Sequence, residues 1–279
     1  MLVPIDGSEL ALQALPTARA LSARLNAELQ TISVAGEDDH DRLRALAAES
    51  LGIEPGDDRV HVVNEEDPAA AISRRAAELE ECVVCLSSHG RGRLHGAIVG
   101  SVARSVLQRM AKAMVVLGPM ADNPGWSPRP RSFPEPLSVP RMVACVDGSD
   151  TSEQVLPLAA SWARALGMSL TILTVVEDAP ELLRPERKRT RYGLGVTPES
   201  YIESLVQRWT RVLPTDGEVV RDPISVADGI QSHLDQRPAG LVAVTTHARS
   251  GLERARLGAQ AASIVNVSIA PCLVAPVIS

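Results

Sequence analysis

The sequence is poor in the residues that serve contacts with nucleic acids and membranes. Its 279 residues include three Trp, two Tyr and one Phe, and the formal net charge is -6. Proteins that bind nucleic acid need a basic surface and often stack bases on aromatic rings, so we do not expect this chain to bind nucleic acid. No apolar run approaches the ~20 residues that cross a bilayer, which argues against a membrane protein.

The opening residues also lack the features of a secretion signal. MLVPIDGSEL has neither a basic start nor an apolar centre, so we expect a cytoplasmic protein. The 45% content of hydrophobic residues is enough to bury a core in each of two ordinary domains. Small molecules and other proteins are therefore the expected partners.

Cysteine is scarce, and its four positions do not suggest a metal or redox site. Cys82 and Cys85 form a C-x-x-C, but they lie in ECVVCLSS, a run typical of a buried strand. Residues three apart on a strand face opposite sides, so these two thiols cannot share an ion or a bond. Cys145 and Cys272 lie in similar apolar runs. We expect all four to be small buried hydrophobic side chains, and no metal-ligand spacing occurs elsewhere.

The sequence contains an internal repeat. The stretch VPIDGSELALQALPTARAL recurs as ACVDGSDTSEQVLPLAASWARAL, so that Asp6 matches Asp147. Further along, Gly100 matches Gly258 at a greater offset, so the second copy carries an insertion, which falls after Val175. Internal repetition of this kind indicates two domains of the same fold.

A proline-rich segment separates the two copies. In GPMADNPGWSPRPRSFPEPLSVP the prolines fix φ and remove backbone donors, so the segment is predicted neither to continue a sheet nor to form a helix. We interpret 119–140 as a linker, which divides the chain into a first domain over 1–118 and a second over 141–279.

Strand-like runs alternate with helix-like runs within each half. In the first half the predicted strands are LVPI, LQTISV, RVHVV, CVVCLS and AMVVLG, each of the first four followed by a helical pattern. Strands without polar alternation imply a parallel sheet covered by helices on both faces. Ser8, Asp67 and Ser101 are predicted to begin helices, and Pro16 and Pro157 to kink the first helix of each half.

The loop SSHGRGRLHGAIVGS, residues 87–101, has features that suit an anion. Ligands of an open parallel sheet bind at the carboxyl ends of its strands, and a helix that starts at Gly100 offers unpaired amides and a positive dipole end. Arg91 and Arg93 could add positive field. No Walker loop or G-x-S-x-G elbow occurs, and the loop glycines miss the dinucleotide fingerprint by one residue.

The opening VPIDGS, together with S-H-G, nine residues and then G-S-V-A, resembles the universal stress protein domain. The resemblance covers both halves and implies two tandem universal-stress-protein-like domains, each a five-stranded parallel α/β sheet with helices on both faces. Members of this family that bind ATP carry G-x-x-G-x9-G-[ST] in the loop. The resemblance thus implies an ATP-binding regulatory protein of the stress response, with ATP or ATP and Mg²⁺ as the ligand, and it leaves ADP and AMP open.

Carried over to this sequence, the resemblance assigns the nucleotide to the first half. The implied residues surround the adenosine, open the loop, or hold the phosphates: Pro4, Asp6 and Val34; Leu86, Ser87 and Gly90; Gly100, Ser101 and Val102. Asp6 would accept a hydrogen bond from a ribose hydroxyl. Ser87 departs from the family pattern, because it takes the place of the first loop glycine.

The second half departs further, with Thr245 and Ala248 for the two loop glycines and Ala259 for the hydroxyl residue. A Cβ at position 248 costs roughly 1 kcal/mol in a left-handed turn, and the lost hydroxyl costs about 1 kcal/mol more. Together these losses weaken binding by roughly 30-fold or more. A weaker second site stays open at the matching residues Asp147, Val175 and Gly258.

Two other functions stay open. One is a nucleotide-free interaction or dimerisation module of the same fold, serving an unidentified protein partner. The other is an enzyme, but His89 and His247 have no nucleophile or orienting acid beside them, so we expect no catalytic residues and at most slow ATP hydrolysis. In the fold that the resemblance implies, the apolar last strands AMVVLG and CLVAPV lie at the edge of each sheet, so the two domains are expected to pair through them inside one chain, and two chains could then form a homodimer. The basic run RPERKRTRYG, 184–193, is interpreted as a solvated loop.

Overall fold

Ten strands from both halves of the chain join into one sheet. The structure is a computed structural model and describes residues 1–88, 100–122, 137–177, 196–222, 224–246 and 259–276. The sequence predictions for Gly90, Gly258, the two loop histidines, Ala248, the loop arginines and the basic run 184–193 lie outside the described residues.

The first half runs from β1 to α6. Its strands are β1 (Leu2–Pro4), β2 (Gln30–Val34), β3 (Val60–Val63), β4 (Val84–Ser87) and β5 (Met114–Leu117). Its helices are α1 (Glu9–Leu12), α2 (Ala14–Leu25), α3 (His40–Leu51), α4 (Pro68–Glu78), α5 (Ser101–Arg109) and α6 (Pro119–Asp122), and a 3-10 turn at Glu37–Asp39 precedes α3.

The second half repeats this order, and its second and third strands are longer. Its strands are β6 (Arg141–Cys145), β7 (Ser169–Glu177), β8 (Thr215–Asp222), β9 (Leu241–Thr245) and β10 (Cys272–Ala275). Its helices are α7 (Asp150–Glu153), α8 (Val155–Leu166), α9 (Pro198–Trp209), α10 (Val226–Gln236) and α11 (Ala259–Val267).

The strand order is β3-β2-β1-β4-β5-β10-β9-β6-β7-β8. All pairs within a half are parallel, as the absence of polar alternation predicted. The two halves meet through β5 and β10, which pair antiparallel with Leu273 opposite Val115. This confirms the predicted fold of two parallel α/β units, and the last strands pair inside the chain as expected.

Helices cover both faces of the sheet, which explains why successive strand residues are apolar. Leu2 and Val3 point to opposite faces, and each is fully buried. One face packs against α2, α3, α8 and α9, and the other against α4, α5, α10 and α11. The antiparallel joint reverses the strand direction, so the carboxyl ends of the two parallel sets lie at opposite edges of the sheet.

The helix starts follow the predicted signals. The Ser8 side chain accepts a hydrogen bond from the Ala11 amide, and Asp67 caps α4, with Pro68 in the first turn. The predicted kinks at Pro16 and Pro157 are breaks between two helices, α1 and α2 in one half and α7 and α8 in the other. Proline has no amide hydrogen to donate to the preceding turn, so the first helix cannot run through it.

The cysteines are free thiols. Cys82 lies just before β4 and not inside it, because the ladder with β1 starts at Val84 opposite Leu2. Cys82 packs on one face of the sheet and Cys85 on the other, as the spacing predicted. Burial raises the pKa of the Cys272 thiol to about 12, which suits a core side chain.

The start of the linker corrects one prediction. We predicted no helix between the copies, yet Pro119–Asp122 forms a short helix. Pro119 is its first residue, where the missing amide hydrogen would have no partner in any case. At the far end of the linker, the Arg24 guanidinium donates to the Leu137 carbonyl at 2.9 Å, which ties the linker to α2.

Close packing joins the two halves beside the β5–β10 ladder. A Cβ built on Gly118, just after β5, would overlap the backbone carbonyl oxygen of Val265 in α11 and lie 2.9 Å from the carbonyl carbon. Only glycine lets the first half approach the helix of the second half so closely. The sheet is therefore continuous and tightly packed across the joint.

Candidate functional site

A cavity opens at the carboxyl ends of the strands of the first half, between β1, β2, β4 and the starts of α4 and α5. Its volume is about 280 Å³, well above what a single water needs. Its lining is Pro4, Ile5, Asp6, Ala11, Ile32, Val34, Pro68, Ile72, Leu86, Ser87, Ser88, Gly100, Ser101, Val102 and Ala103.

Asp6 is held in the cavity wall by the turn that follows β1. Its Oδ1 accepts hydrogen bonds from the Ser8 amide at 2.9 Å and the Ser8 hydroxyl at 2.6 Å. Gly7 makes this turn possible, because its φ of 79° lies in the left-handed region. Ser8 thus has two roles, because it holds the Asp6 carboxylate in place and it caps the start of α1.

The phosphate end of the predicted site is the start of α5. Gly100 is the N-cap residue of α5 and makes no side-chain hydrogen bond to the helix, and residues 100–103 line the cavity, so the first amides of this nine-residue helix lie at its mouth. The Gly100 amide donates to the Ser88 carbonyl at 2.6 Å, and the Ser88 amide donates to the Leu117 carbonyl at 2.7 Å. These bonds fix the helix start against β4 and β5. A helix start of this kind attracts anions through its amides and its dipole.

The opposite wall is apolar and suits a flat ring. Val34 and Ile32 contribute from β2, Leu86 from β4, and Ile72 from α4. Asp67 positions α4: it caps the helix through the Ala70 amide at 3.1 Å and pairs with Arg109 of α5 at 2.7 Å. The hydrogen bond from Arg109 lowers the pKa of the Asp67 carboxyl.

The structure brings eight of the nine predicted residues of the first site to this one cavity; the ninth, Gly90, lies outside the described residues. Their roles toward a ligand stay predictions. Sequence reasoning missed Pro68 and Ile72, which reach the cavity from α4. The apolar period of α4 was a signal for its buried face, but the sequence does not show that this face also reaches a cavity.

A smaller cavity occupies the matching place in the second half. Its volume is about 60 Å³. Its lining is Cys145, Val146, Asp147, Ser152, Leu173, Val175, Val226, Ile230, Val244, Thr245, Gln260, Ala261 and Ile264. The predicted second-site residues Asp147 and Val175 therefore line it.

The turn at Asp147 repeats that at Asp6 with one addition. Asp147 Oδ1 accepts from the Ser149 amide at 3.1 Å and the Ser149 hydroxyl at 2.6 Å, and Gly148 has a φ of 78°. In addition the Ser152 hydroxyl accepts a hydrogen bond from the Asp147 amide at 3.1 Å, where the first half has Ala11. Burial raises the pKa of the Cys145 thiol, which replaces Pro4 in this wall.

Within the described ranges, no group of three His, Cys, Asp or Glu side chains is placed to hold a metal ion. Among the helices that the structure describes, none has the length and apolar character to cross a membrane.

Comparison with known proteins identifies relatives of both halves. The profile of the universal stress protein family matches residues 35–118 and 139–276. Universal stress proteins of Mycobacterium bovis and Mycobacterium tuberculosis are each 29% identical over 208 residues, which is 74% of this chain and 61% of theirs. The chain thus spans less than two thirds of the length of these relatives.

Solved structures share the fold. A universal stress protein from Archaeoglobus fulgidus covers 99% of this chain and 97% of its own, with 15% identity and a TM-score of 0.66. A Pseudomonas aeruginosa protein described as a putative universal stress protein covers 99% and 92%, with 16% identity and a TM-score of 0.62. At these identities the likeness concerns the fold.

Proposed function

This chain belongs to the universal stress protein family, and on that basis we propose that its first half binds an adenine nucleotide, with ATP as the preferred form. The observation that carries the proposal is the convergence of an apolar wall, a fixed carboxylate and a helix start with glycine as its N-cap on one cavity of about 280 Å³. These are the three features that a base, a ribose and a phosphate chain require.

Each part of the nucleotide has a counterpart among the cavity residues. The base would lie against Val34, Leu86 and Ile72, and burial of its faces supplies most of the affinity. The Asp6 carboxylate would accept a hydrogen bond from a ribose hydroxyl. The phosphates would take the first amides of α5 and the Ser101 hydroxyl as donors.

The second half is proposed to bind the nucleotide weakly or not at all. Its cavity is much smaller, and Ala259 offers no hydroxyl where the first half has Ser101. The function that results is regulatory: occupancy of one half changes a surface that a protein partner reads. We propose no catalytic turnover beyond slow hydrolysis: the Ser8 hydroxyl, which donates to Asp6, also accepts from the Ala11 amide as the cap of α1, so the turn holds it in a structural role.

Calorimetric titration with ATP tests the proposal through matched variants in the two halves. Gly100→Asp places a carboxylate at the predicted phosphate end and is expected to lower ATP affinity at least 100-fold, through repulsion and obstruction. Gly258→Asp, its counterpart in the second half, is expected to leave the affinity unchanged. One nucleotide per chain is the expected stoichiometry.

A second pair of variants tests the ribose contact. Asp6→Ala is expected to lower ATP affinity by roughly 10- to 100-fold, which corresponds to a charge-assisted hydrogen bond of about 1.5–3 kcal/mol. Asp147→Ala breaks the same kind of turn in the second half and controls for the structural part of the change. If wild-type protein binds no ATP at millimolar concentration, the nucleotide-free interaction module is the correct interpretation.

A further inference from the structure

The two cavities have the same frame but very different sizes. Each is lined by the end of the first strand, the aspartate turn, the second strand and the first turns of two helices, yet the volumes are about 280 Å³ and about 60 Å³. Lining side chains account for part of this difference, because Thr245 stands where the first half has Ser87 and Gln260 where it has Val102. On the second strand and the first of these two helices the lining pairs have equal or similar bulk: Ile32 matches Leu173, Val34 matches Val175, and Ile72 matches Ile230.

A backbone contact differs between the halves. The fourth residue of α4 is Ala71, which is 1% exposed, whereas the fourth residue of α10 is Gly229. A Cβ built on Gly229 would lie 2.6 Å from Val175 Cγ1 and 3.0 Å from Asp222 Cβ. The helix α10 therefore lies on β7 and β8 at a distance that only glycine allows at this position.

Neither neighbour can give way easily. Val175 is β-branched, so its χ1 is restricted on a strand, and it is paired with Val220 on β8. The Asp222 atom is a Cβ, which moves only with its backbone. A side chain at 229 would consequently push the helix away from the sheet, and this helix carries Val226 and Ile230 of the cavity wall.

We propose that Gly229 closes the second cavity: by omitting a Cβ it lets α10 settle on β7, and this spacing excludes an adenine ring from the second half. In the first half the Cβ of Ala71 holds α4 farther from the sheet, which keeps the first cavity open. The explanation of why a nucleotide would occupy one half rests on the proposed function, but the spacing itself does not depend on any ligand.

The thiol of Cys145 reports on the spacing without a nucleotide, because it lines the second cavity. The full chain is treated with N-ethylmaleimide, and modification of the Cys145 peptide is followed by mass spectrometry, with Cys272 as the buried internal reference. Gly229→Ala is expected to raise the rate at Cys145 at least 10-fold and to leave the rate at Cys272 unchanged. An unchanged Cys145 rate in the folded variant would overturn the proposal.

Gly217→Ala is the matched control. A Cβ at 217, on β8, would overlap Ile202 and lie 2.6 Å from Val206 Cγ2, both in α9 on the other face of the sheet. This variant introduces a comparable collision in the same half without moving α10. Its Cys145 rate is expected to stay within about 3-fold of wild type, on the scale of tolerated repacking. An equal rise in both variants would show general loosening and would refute the proposal.

A double variant keeps the test decisive if Gly229→Ala does not fold. Val175→Ala removes the closer of the two contacts and leaves the 3.0 Å approach to Asp222 Cβ, which a shift of a few tenths of an ångström relieves, so Gly229→Ala/Val175→Ala is expected to fold with α10 nearly in place and to label Cys145 at close to the rate of Val175→Ala alone. Faster labelling of the double variant would contradict the assigned contact. ATP calorimetry on wild type tests the proposed function separately: loss of ATP binding would remove that function and leave the labelling result intact.

Discussion

The glycine at the joint between the two halves allows a sharp test of how firmly they are packed. Gly118→Ala adds a Cβ that overlaps the carbonyl oxygen of Val265 and lies 2.9 Å from its carbonyl carbon, where carbon atoms in contact prefer about 3.5–4.0 Å. Val265 is a buried residue inside α11, so its carbonyl cannot rotate away. Either α11 or the end of β5 must therefore move to restore a van der Waals distance.

Overpacking of this kind costs about 1–3 kcal/mol, and collision with backbone places this variant at the upper end. For a chain of this size, about 3 kcal/mol corresponds to a fall in Tm of roughly 6–12 °C. Thermal unfolding, followed by circular dichroism and repeated in urea, measures both quantities. The collision is with the second half, so the unfolding transition is also expected to broaden or split as the halves separate.

Two other glycines serve as controls for the effect of a glycine-to-alanine substitution without a collision. Gly56 has no atom within 4 Å of a built Cβ, and Gly56→Ala is expected to change stability by less than about 0.5 kcal/mol. Gly52 has equally open space but a φ of 71°, so Gly52→Ala is expected to cost about 1 kcal/mol through backbone strain alone. If Gly118→Ala has the same thermal and urea unfolding midpoints as Gly56→Ala, the tight packing between Gly118 and Val265 is wrong.

Three further predictions concern the first half. Lys112→Met removes an ammonium group that donates hydrogen bonds to carbonyls at the end of α4, one of them the Ala76 carbonyl at 2.9 Å. This variant is expected to lose about 1–3 kcal/mol of the free energy of unfolding in urea, whereas Lys112→Arg should retain part of this stability. Burial and then the Arg75 guanidinium lower the pKa of His61, so the folded state resists protonation of this side chain and the free energy of unfolding should fall as the pH drops below about 6.5. His61→Gln should flatten this pH dependence. An unaltered slope of stability between pH 5 and 7 would contradict the assignment. Asp67→Ala removes the cap of α4 and is expected to lower the midpoint of urea unfolding, whereas Asp67→Asn, which keeps a capping acceptor, should lower it less.

Local signals in the sequence predicted the elements and the turn at the candidate site. Asp6 was placed at a strand end and Ser8 was predicted to begin a helix, and the structure forms this strand-to-helix turn in both halves, with Gly7 and Gly148 in the left-handed region. The apolar runs without alternation predicted a sheet buried on both faces. These features depend on the chain within a few residues, which is why the sequence alone contains them.

Features that depend on distant parts of the chain were not predicted. Pro68 and Ile72 reach the cavity because α4 crosses the sheet beside β2, and nothing within α4 indicates that crossing. Gly118 and Gly229 read as ordinary glycines, and only the positions of α11 and β7 show what a Cβ there would meet. Residues outside the described ranges, Gly90 among them, keep their sequence prediction unchanged.

The antiparallel ladder between β5 and β10 has a consequence for how the two copies could diverge. Because the halves are covalently linked, their association does not depend on protein concentration, and each protects the exposed strand edge of the other. A copy whose cavity has closed still serves as the scaffold of its neighbour. Selection on the second half would then act on the strand, the joint and the helix that meets Gly118, while its ligand-contacting positions were free to change.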